Sequence, residues 1–255
     1  MVNAKNIIKS LYVPPKDSHK GRNGKLMVIG GSRQYHGAPV FSILAARRFV
    51  DLLYFYPAEK DQYLINAVKT IPEAMVDFNL NRIPEMDCVL FGIGLENAKF
   101  DLKYVLKKAR RLVIDGDGLK LVKEKIPRGS ILTPHEGEFR MLFGVSGTEQ
   151  NVKKMAKKHN CVILKKGPVD IISDGKRIFK NKMHNQGMTK GGTGDVLAGF
   201  TSALFCKNPA FDSAVAATYI NGFAGNLLKR KMGHNYCASD LADTLAEAHF
   251  KVKKI

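Results

Sequence analysis

Short apolar runs alternate with longer stretches of helical periodicity along most of the chain. Lys25-Leu26-Met27-Val28-Ile29-Gly30 is a continuous apolar run closed by glycine, the pattern of a strand buried on both faces. Residues 52–56, 88–92, 112–115, 131–132, 161–164 and 170–173 read as further strands. Pro57 stops the strand at 52–56, Thr133-Pro134 stops the one at 131–132, and Asp174-Gly175 makes a turn. Residues 38–50, 102–109, 136–143 and 150–159 have helical spacing, and three apolar helices follow at 196–206, 214–228 and 241–250. Apolar strands separated by helices predict an α/β protein, a three-layer α/β/α domain around a mostly parallel sheet. Residues 1–18, with Pro14-Pro15, read as a loose N-terminal arm, and residues 19–255 as one domain without repeats or linkers. In such folds ligands collect beyond the carboxyl ends of the strands. That rule selects Gly30-Gly31-Ser32 and residues 92–94, 115–118, 133–138 and 191–195.

Composition narrows the class without changing it. Hydrophobic residues make up 45% and charged residues 25% of the 255, the balance of a folded globular chain. No apolar run reaches the roughly 18 residues of a membrane span. Met1 to Ser10 lacks the apolar block and cleavage site of a signal peptide, so a cytoplasmic location without a membrane partner is expected. Cys88, Cys161, Cys206 and Cys237 have no Cys-x-x-Cys spacing and read as reduced thiols, not zinc ligands. The net charge is +18. The basic residues are spread along the chain, and Lys153, Lys154, Lys157 and Lys158 have the spacing of a solvated helix face. No aromatic residues interleave them, so nucleic acid is not the expected partner; attraction of small polyanions uses the charge equally well.

The most informative segment is Gly191-Gly192-Thr193-Gly194-Asp195, which leads into an apolar helix. Glycines let several N–H groups turn toward one point, and a helix N-terminus adds partial positive charge, so residues 191–194 read as an anion hole for a phosphate. The Lys-Ser/Thr pair of a Walker A loop is missing. Asp195 could be a plain first-turn carboxylate. Beside an anion cradle, however, its charge opposes the ligand. That placement suits a base that orients an attacking hydroxyl and takes its proton while the loop stabilises a transferring phosphoryl group. Asp115 and Asp117 flank Gly116 at a strand end, a pattern open to a metal pair or to an Asx-capped turn. His135, at a strand end before a helix, is open to a functional or a structural role, with Thr133 or Glu136 available as helix caps.

Gly191 to Gly199 resembles the anion-hole and catalytic-base segment of ribokinase-like proteins, and within them most closely the ADP/ATP-dependent NAD(P)H-hydrate dehydratases. His19-Lys20-Gly21, Gly24 to Ser32, Tyr35-His36-Gly37-Ala38-Pro39, Gly92-Ile93-Gly94-Leu95, Asp115 to Leu119, Leu132 to Glu138 and Leu164 to Gly167 agree in order, over residues 19 to about 230. The resemblance implies that an adenine nucleotide, ADP or ATP, phosphorylates the ring hydroxyl of hydrated NADH or NADPH; phosphate then leaves and the double bond returns. It implies that Asp195 acts on that hydroxyl and that Ala38, Gly94 and His135 contact the hydrated dinucleotide. Lys166, Gly167, Pro168, Val169, Asp170 and Gly194 would contact the nucleotide, with Mg²⁺ on the phosphates. A homo-oligomer, a tetramer, is also implied. Only about 18 residues precede the first motif, so a dehydratase without the epimerase domain that often precedes it is expected. The chain departs from the family pattern at Glu136 and Gln186, each in place of proline, at Val50-Asp51-Leu52 in place of Gly-Ala-Gly, and at Asp170 in place of threonine. The alternatives are a ribokinase-like kinase of a small alcohol or vitamin precursor, and a basic binding protein that keeps the fold without the activity.

Overall fold

A computed structural model describes residues 2–254. Nine strands form one sheet: β1 (Lys25–Gly30), β2 (Leu52–Pro57), β3 (Ala74–Val76), β4 (Cys88–Ile93), β5 (Leu112–Ile114), β6 (Ile131–Leu132), β7 (Val162–Lys165), β8 (Asp170–Ser173) and β9 (Ile178–Asn181). Their order is β3-β2-β1-β4-β5-β6-β7-β8-β9. All pairs from β3 to β7 are parallel, and β8 and β9 close one edge antiparallel. The helices are α1 (Ala4–Lys9), α2 (Gly37–Ala46), α3 (Gln62–Lys69), α4 (Leu102–Lys108), α5 (Asp117–Leu121), α6 (Glu136–Phe143), α7 (Glu149–His159), α8 (Thr193–Phe205), α9 (Ala210–Met232) and α10 (Ala238–Lys254). None of the described helices is long and apolar enough to cross a membrane.

The expected mostly parallel α/β/α sandwich is present, and side-chain alternation explains its two cores. Leu26 and Val28 of β1, with Cys88 and Leu90 of β4, pack toward a core that includes Ile43 of α2, Phe200 of α8, Ile220 of α9 and Leu245 of α10. Met27 and Ile29, with Val89 and Phe91, point the other way, into a core with Val105, Leu119, Phe139 and Val152 of α4 to α7. Burial on both faces is why β1 and β4 are continuously apolar. β2 lies nearer the edge and alternates buried with half-buried positions.

Several local expectations are corrected. The loose arm is partly a helix: Asn3 caps α1, and Ile8 and Leu11 are buried in the core that holds α9 and α10. Three apolar side chains at helical spacing, Ala4, Ile8 and Leu11, outweigh the disorder signal of Pro14-Pro15. α2 starts at Gly37 and ends at Ala46, because Phe49 and Val50 already turn toward β2. α3, β3 and β9 were not expected. α3 is short but amphipathic, capped by Asp61 with Leu64 and Val68 buried; β3 and β9 are edge strands with little continuous apolar pattern.

β1 pairs with β2 on one side and β4 on the other, so the strand order reverses between β1 and β4. This switch point opens a crevice at the carboxyl edge. Gly94 follows β4, Asp115 follows β5, His135 lies beyond β6 and Lys166 follows β7, so one edge of the sheet collects them.

Candidate active site

The glycine loop is held from both sides. Asn185 Oδ1 accepts from Gly187 N at 3.0 Å and from the buried Tyr236 hydroxyl at 2.6 Å. Lys190 Nζ donates to the carbonyls of His234 and Tyr236 at 2.7 and 2.6 Å. Gly192 then turns the chain into α8 with φ +90°, a conformation glycine adopts without penalty. A Cβ there would also lie 2.5 Å from the Phe41 ring. No side chain caps α8. Thr193 N donates to the Lys190 carbonyl at 3.4 Å, so the Gly194 amide and the positive end of the dipole are what the helix start offers an anion. Gly199 lets α2 lie directly against α8, since a Cβ would come within 2.5 Å of Ser42 Cα. Ser42 Oγ donates to the Asp195 carbonyl at 2.8 Å. This close approach sets Ala38, near the start of α2, beside Asp195.

Two cavities meet at this helix start. One, about 420 Å³, is lined by Lys166, Gly167, Pro168, Asp170, Thr193 and Gly194, with His135, His184, Met188, Thr189, Leu197 and Asn221. The other, about 440 Å³, is lined by Ala38, Gly94 and Asp195, with His135, Tyr35, Gly116, Asp117, Lys120, Gly137, Glu138 and Met141. Consecutive residues, Gly194 and Asp195, thus face different cavities, and His135 borders both. Val169, Gly191 and Gly192 line neither. Gly191 is exposed at the loop tip and Gly192 packs against Phe41 and Ala238, so the two position α8.

Asp195 is partly buried. Burial first, and the nearby Asp115 carboxylate second, push its carboxyl up to about 7, with Lys166 pulling in the opposite direction. A carboxylate poised near neutrality is suited to accept a proton. Lys166 Nζ contacts Asp115 Oδ1 at 2.7 Å; the two side chains are 19% and 4% exposed, so the pair is largely desolvated. Burial alone would lower the Lys166 ammonium, but Asp115, Glu138 and Asp195 outweigh it and hold the proton on more tightly than usual. The result is a fixed cation about 3.5 Å from where a Cβ on Gly194 would sit.

Asp115 and Asp117 do not act as a pair. Asp117 accepts from Glu96 N at 2.9 Å and binds Lys120 at 2.6 Å, while Asp115 serves Lys166. No three His, Cys, Asp or Glu side chains among the described residues stand close enough to hold a metal ion. The residues present therefore form no magnesium cage. Magnesium can instead be carried by phosphates and water, and the chain's own neutralising charges are Lys166 and the α8 amides.

His135 is itself the cap of α6. Its Nδ1 accepts from Gly137 N and Glu138 N at 3.0 and 3.2 Å, and Glu138 Oε2 accepts from His135 N at 2.8 Å. The ring is thereby fixed with its other nitrogen 3.6 Å from Glu138 Oε1. Glu136, in place of proline, adds no free charge: its oxygens bind Arg140, Lys165 and Gly147 N. Asp170, in place of threonine, ties the loop at 166–170 by accepting from Gly167 N at 3.0 Å and from the Thr218 hydroxyl. Burial raises its carboxyl above the ordinary range. Thr193 spends its hydroxyl on the Met188 and Lys190 carbonyls, at 2.7 and 2.8 Å. His184 and Asn221 line the first cavity and Lys120 the second, and none of the three belongs to a motif that marks it in the sequence.

The fold is ribokinase-like. A solved ribokinase-like superfamily protein from Enterococcus faecalis matches with a TM-score of 0.86 at 26% identity, over 98% of this chain and 95% of its own. The family model for NAD(P)H-hydrate dehydratase matches residues 26–247, and the chain belongs to that family. An ADP-dependent (S)-NAD(P)H-hydrate dehydratase from Cenarchaeum symbiosum is 36% identical, over 92% of each chain. The structure of ADP/ATP-dependent NAD(P)H-hydrate dehydratase from Bacillus subtilis, co-crystallized with ATP/Mg²⁺, has a TM-score of 0.87 at 25% identity, over 98% of this chain and 97% of that one. A bifunctional NAD(P)H-hydrate repair enzyme from Archaeoglobus fulgidus is 37% identical over 95% of this chain. The chain spans about half the length of the bifunctional curated relatives it matches, 54% of that one.

Gly194→Ala isolates the cradle. The added methyl meets only Lys166 Nζ, at an ordinary 3.5 Å, so the fold should be kept. A phosphate held at the start of α8 would lose space to the methyl, and ADP affinity measured by calorimetry should then fall about tenfold, the loss of one good phosphate contact. Unchanged affinity would remove the cradle from α8.

Proposed function

We propose that this chain uses ADP or ATP to dehydrate the hydrated nicotinamide of (6S)-NADHX or NADPHX, restoring NADH or NADPH. The observation that supports this best is the meeting of two cavities at Gly194 and Asp195. A reaction between two bound molecules needs a catalytic group at their junction.

The nucleotide lies in the cavity of Lys166, its terminal phosphate against the start of α8. The hydrated ring lies in the cavity of Tyr35, Ala38 and Gly94. Asp195 orients the ring hydroxyl and takes its proton as the oxygen bonds to phosphorus. The bond from phosphorus to the nucleotide breaks, releasing AMP from ADP or ADP from ATP. Lys166 and the α8 amides stabilise the charge on the transferring group. The ring nitrogen's electron pair then expels phosphate by cleaving the ring C–O bond, and loss of a proton from the adjacent carbon restores the double bond. Mg²⁺ bound to the nucleotide would supply further charge neutralisation. A cytoplasmic homotetramer is the proposed state. The exposed Tyr63, Met75 and Phe78, around edge strand β3, are apolar surface available to such an assembly.

Hydrated NADH mixed with ADP or ATP should regain the absorbance of reduced nicotinamide when the protein is added. A flat signal with both nucleotides would contradict the proposal. A stable phosphorylated product would mark a kinase of a small alcohol instead.

A further inference from the structure

Three buried side-chain atoms among the described residues lack a hydrogen-bond partner, and only one, Asn221 Oδ1, belongs to a residue that lines either cavity of the site. Asn221 lies on α9 and is 3% exposed. Buried polar atoms in folded proteins are almost always satisfied, so an orphan in a ligand cavity points to a missing partner. Ser213, Thr218 and Asn226 of the same helix each have a partner. Thr218, nearly one turn earlier, donates to Asp170, and Asn226 Oδ1, further along, accepts from Asn185 Nδ2 at 3.0 Å. Asn221 alone is left with an unmatched oxygen.

Its surroundings fit a purine ring. Lys166, Thr193 and Gly194 mark the phosphate end of the cavity, whereas Leu197, Met188 and Pro168 supply apolar wall. With no hydrogen bond to fix its oxygen, the carboxamide of Asn221 can turn either its oxygen or its amide hydrogens to the cavity. A carboxamide offers one acceptor and donors side by side. Adenine matches it with the N6 amino donor beside the N7 acceptor, whereas guanine presents two acceptors, O6 and N7, along the same edge. We propose that Asn221 reads the base of the bound nucleotide and selects adenine over guanine. This rests on the assignment of the Lys166 cavity to the nucleotide. It adds a residue that decides which nucleotide is accepted, because a site built to hydrogen-bond an amino group rejects the analogue lacking it.

The test compares ADP, GDP and purine riboside diphosphate, which lacks the 6-amino group, by calorimetry on wild type and Asn221→Leu. Leucine is close in shape and removes an unpaired polar group, so the nucleotide-free Tm should be equal or higher. Wild type should bind ADP at least tenfold more tightly than either analogue. In Asn221→Leu the three affinities should converge to within about threefold, ADP falling most, because apolar contacts and phosphate binding remain. A preference for ADP that survives unchanged in Asn221→Leu would overturn this proposal alone, as would equal binding of all three by wild type. Wild type that binds none of them would overturn the cavity assignment and this proposal with it.

Discussion

Asp195→Asn should lower kcat by about three orders of magnitude, the range expected for loss of a general base. ADP binding should stay within about threefold of wild type, because Asp195 faces the other cavity. Two pH signatures accompany this. In wild type, kcat/KM should fall about tenfold per unit as pH drops below about 7, because the base must be ionised and its carboxyl titrates near 7 in the free enzyme. The stability signature has the opposite sign from an ordinary salt-bridged aspartate. A carboxyl whose folded value is raised holds its proton more tightly when folded. Its stabilising contribution is complete below the ordinary carboxylate range and is lost as pH rises through about 7. The uncharged carboxamide of the Asp195→Asn variant would escape that loss. The variant's Tm should therefore exceed wild type at pH 8, with the gap closing toward pH 4. A variant with wild-type rates, or one less stable than wild type at pH 8, would remove Asp195 from its role.

Lys166→Met should weaken ADP binding about 10- to 100-fold, since a charge-assisted contact to phosphate is lost. It should also destabilise the fold by about 3 kcal/mol, because Asp115 is left as a buried unpaired carboxylate. The partial exposure of Lys166 places this at the low end of such losses. The double variant Lys166→Met/Asp115→Asn separates the two effects. Stability measured by urea unfolding should return most of the way, while ADP affinity should stay low. If affinity returned with stability, Lys166 would be a structural partner of Asp115 and no phosphate ligand.

Much of this arrangement was legible in the residues alone. β1 and β4 could be read because burial on both faces makes them continuously apolar, and the carboxyl-edge rule then selected the segments that carry Gly94, Asp115, His135 and Asp195. The glycine loop was readable because its backbone conformation and the acid after it have few uses. What could not be read depended on partners distant in sequence. The roles of Asp115 and Asp117 were open from spacing, and only the fold shows that Lys166 and Lys120 separate them. His135 caps its own helix through a side-chain nitrogen, an uncommon cap that no propensity signals. Asn221 looks like any polar residue in an apolar helix until α9 is set against the cavity. The packing of α1 was hidden because a sequence window shows the double proline but not the surface of α9 and α10 that buries Ala4, Ile8 and Leu11.

The central claim is that the ring hydroxyl itself becomes the bridge to phosphorus before it leaves. Hydrated NADH carrying a heavy oxygen isotope in that hydroxyl, turned over with ADP, tests this through mass spectrometry of the released phosphate. The account predicts one labelled oxygen in each inorganic phosphate formed. Label found in water, with unlabelled phosphate, would contradict it.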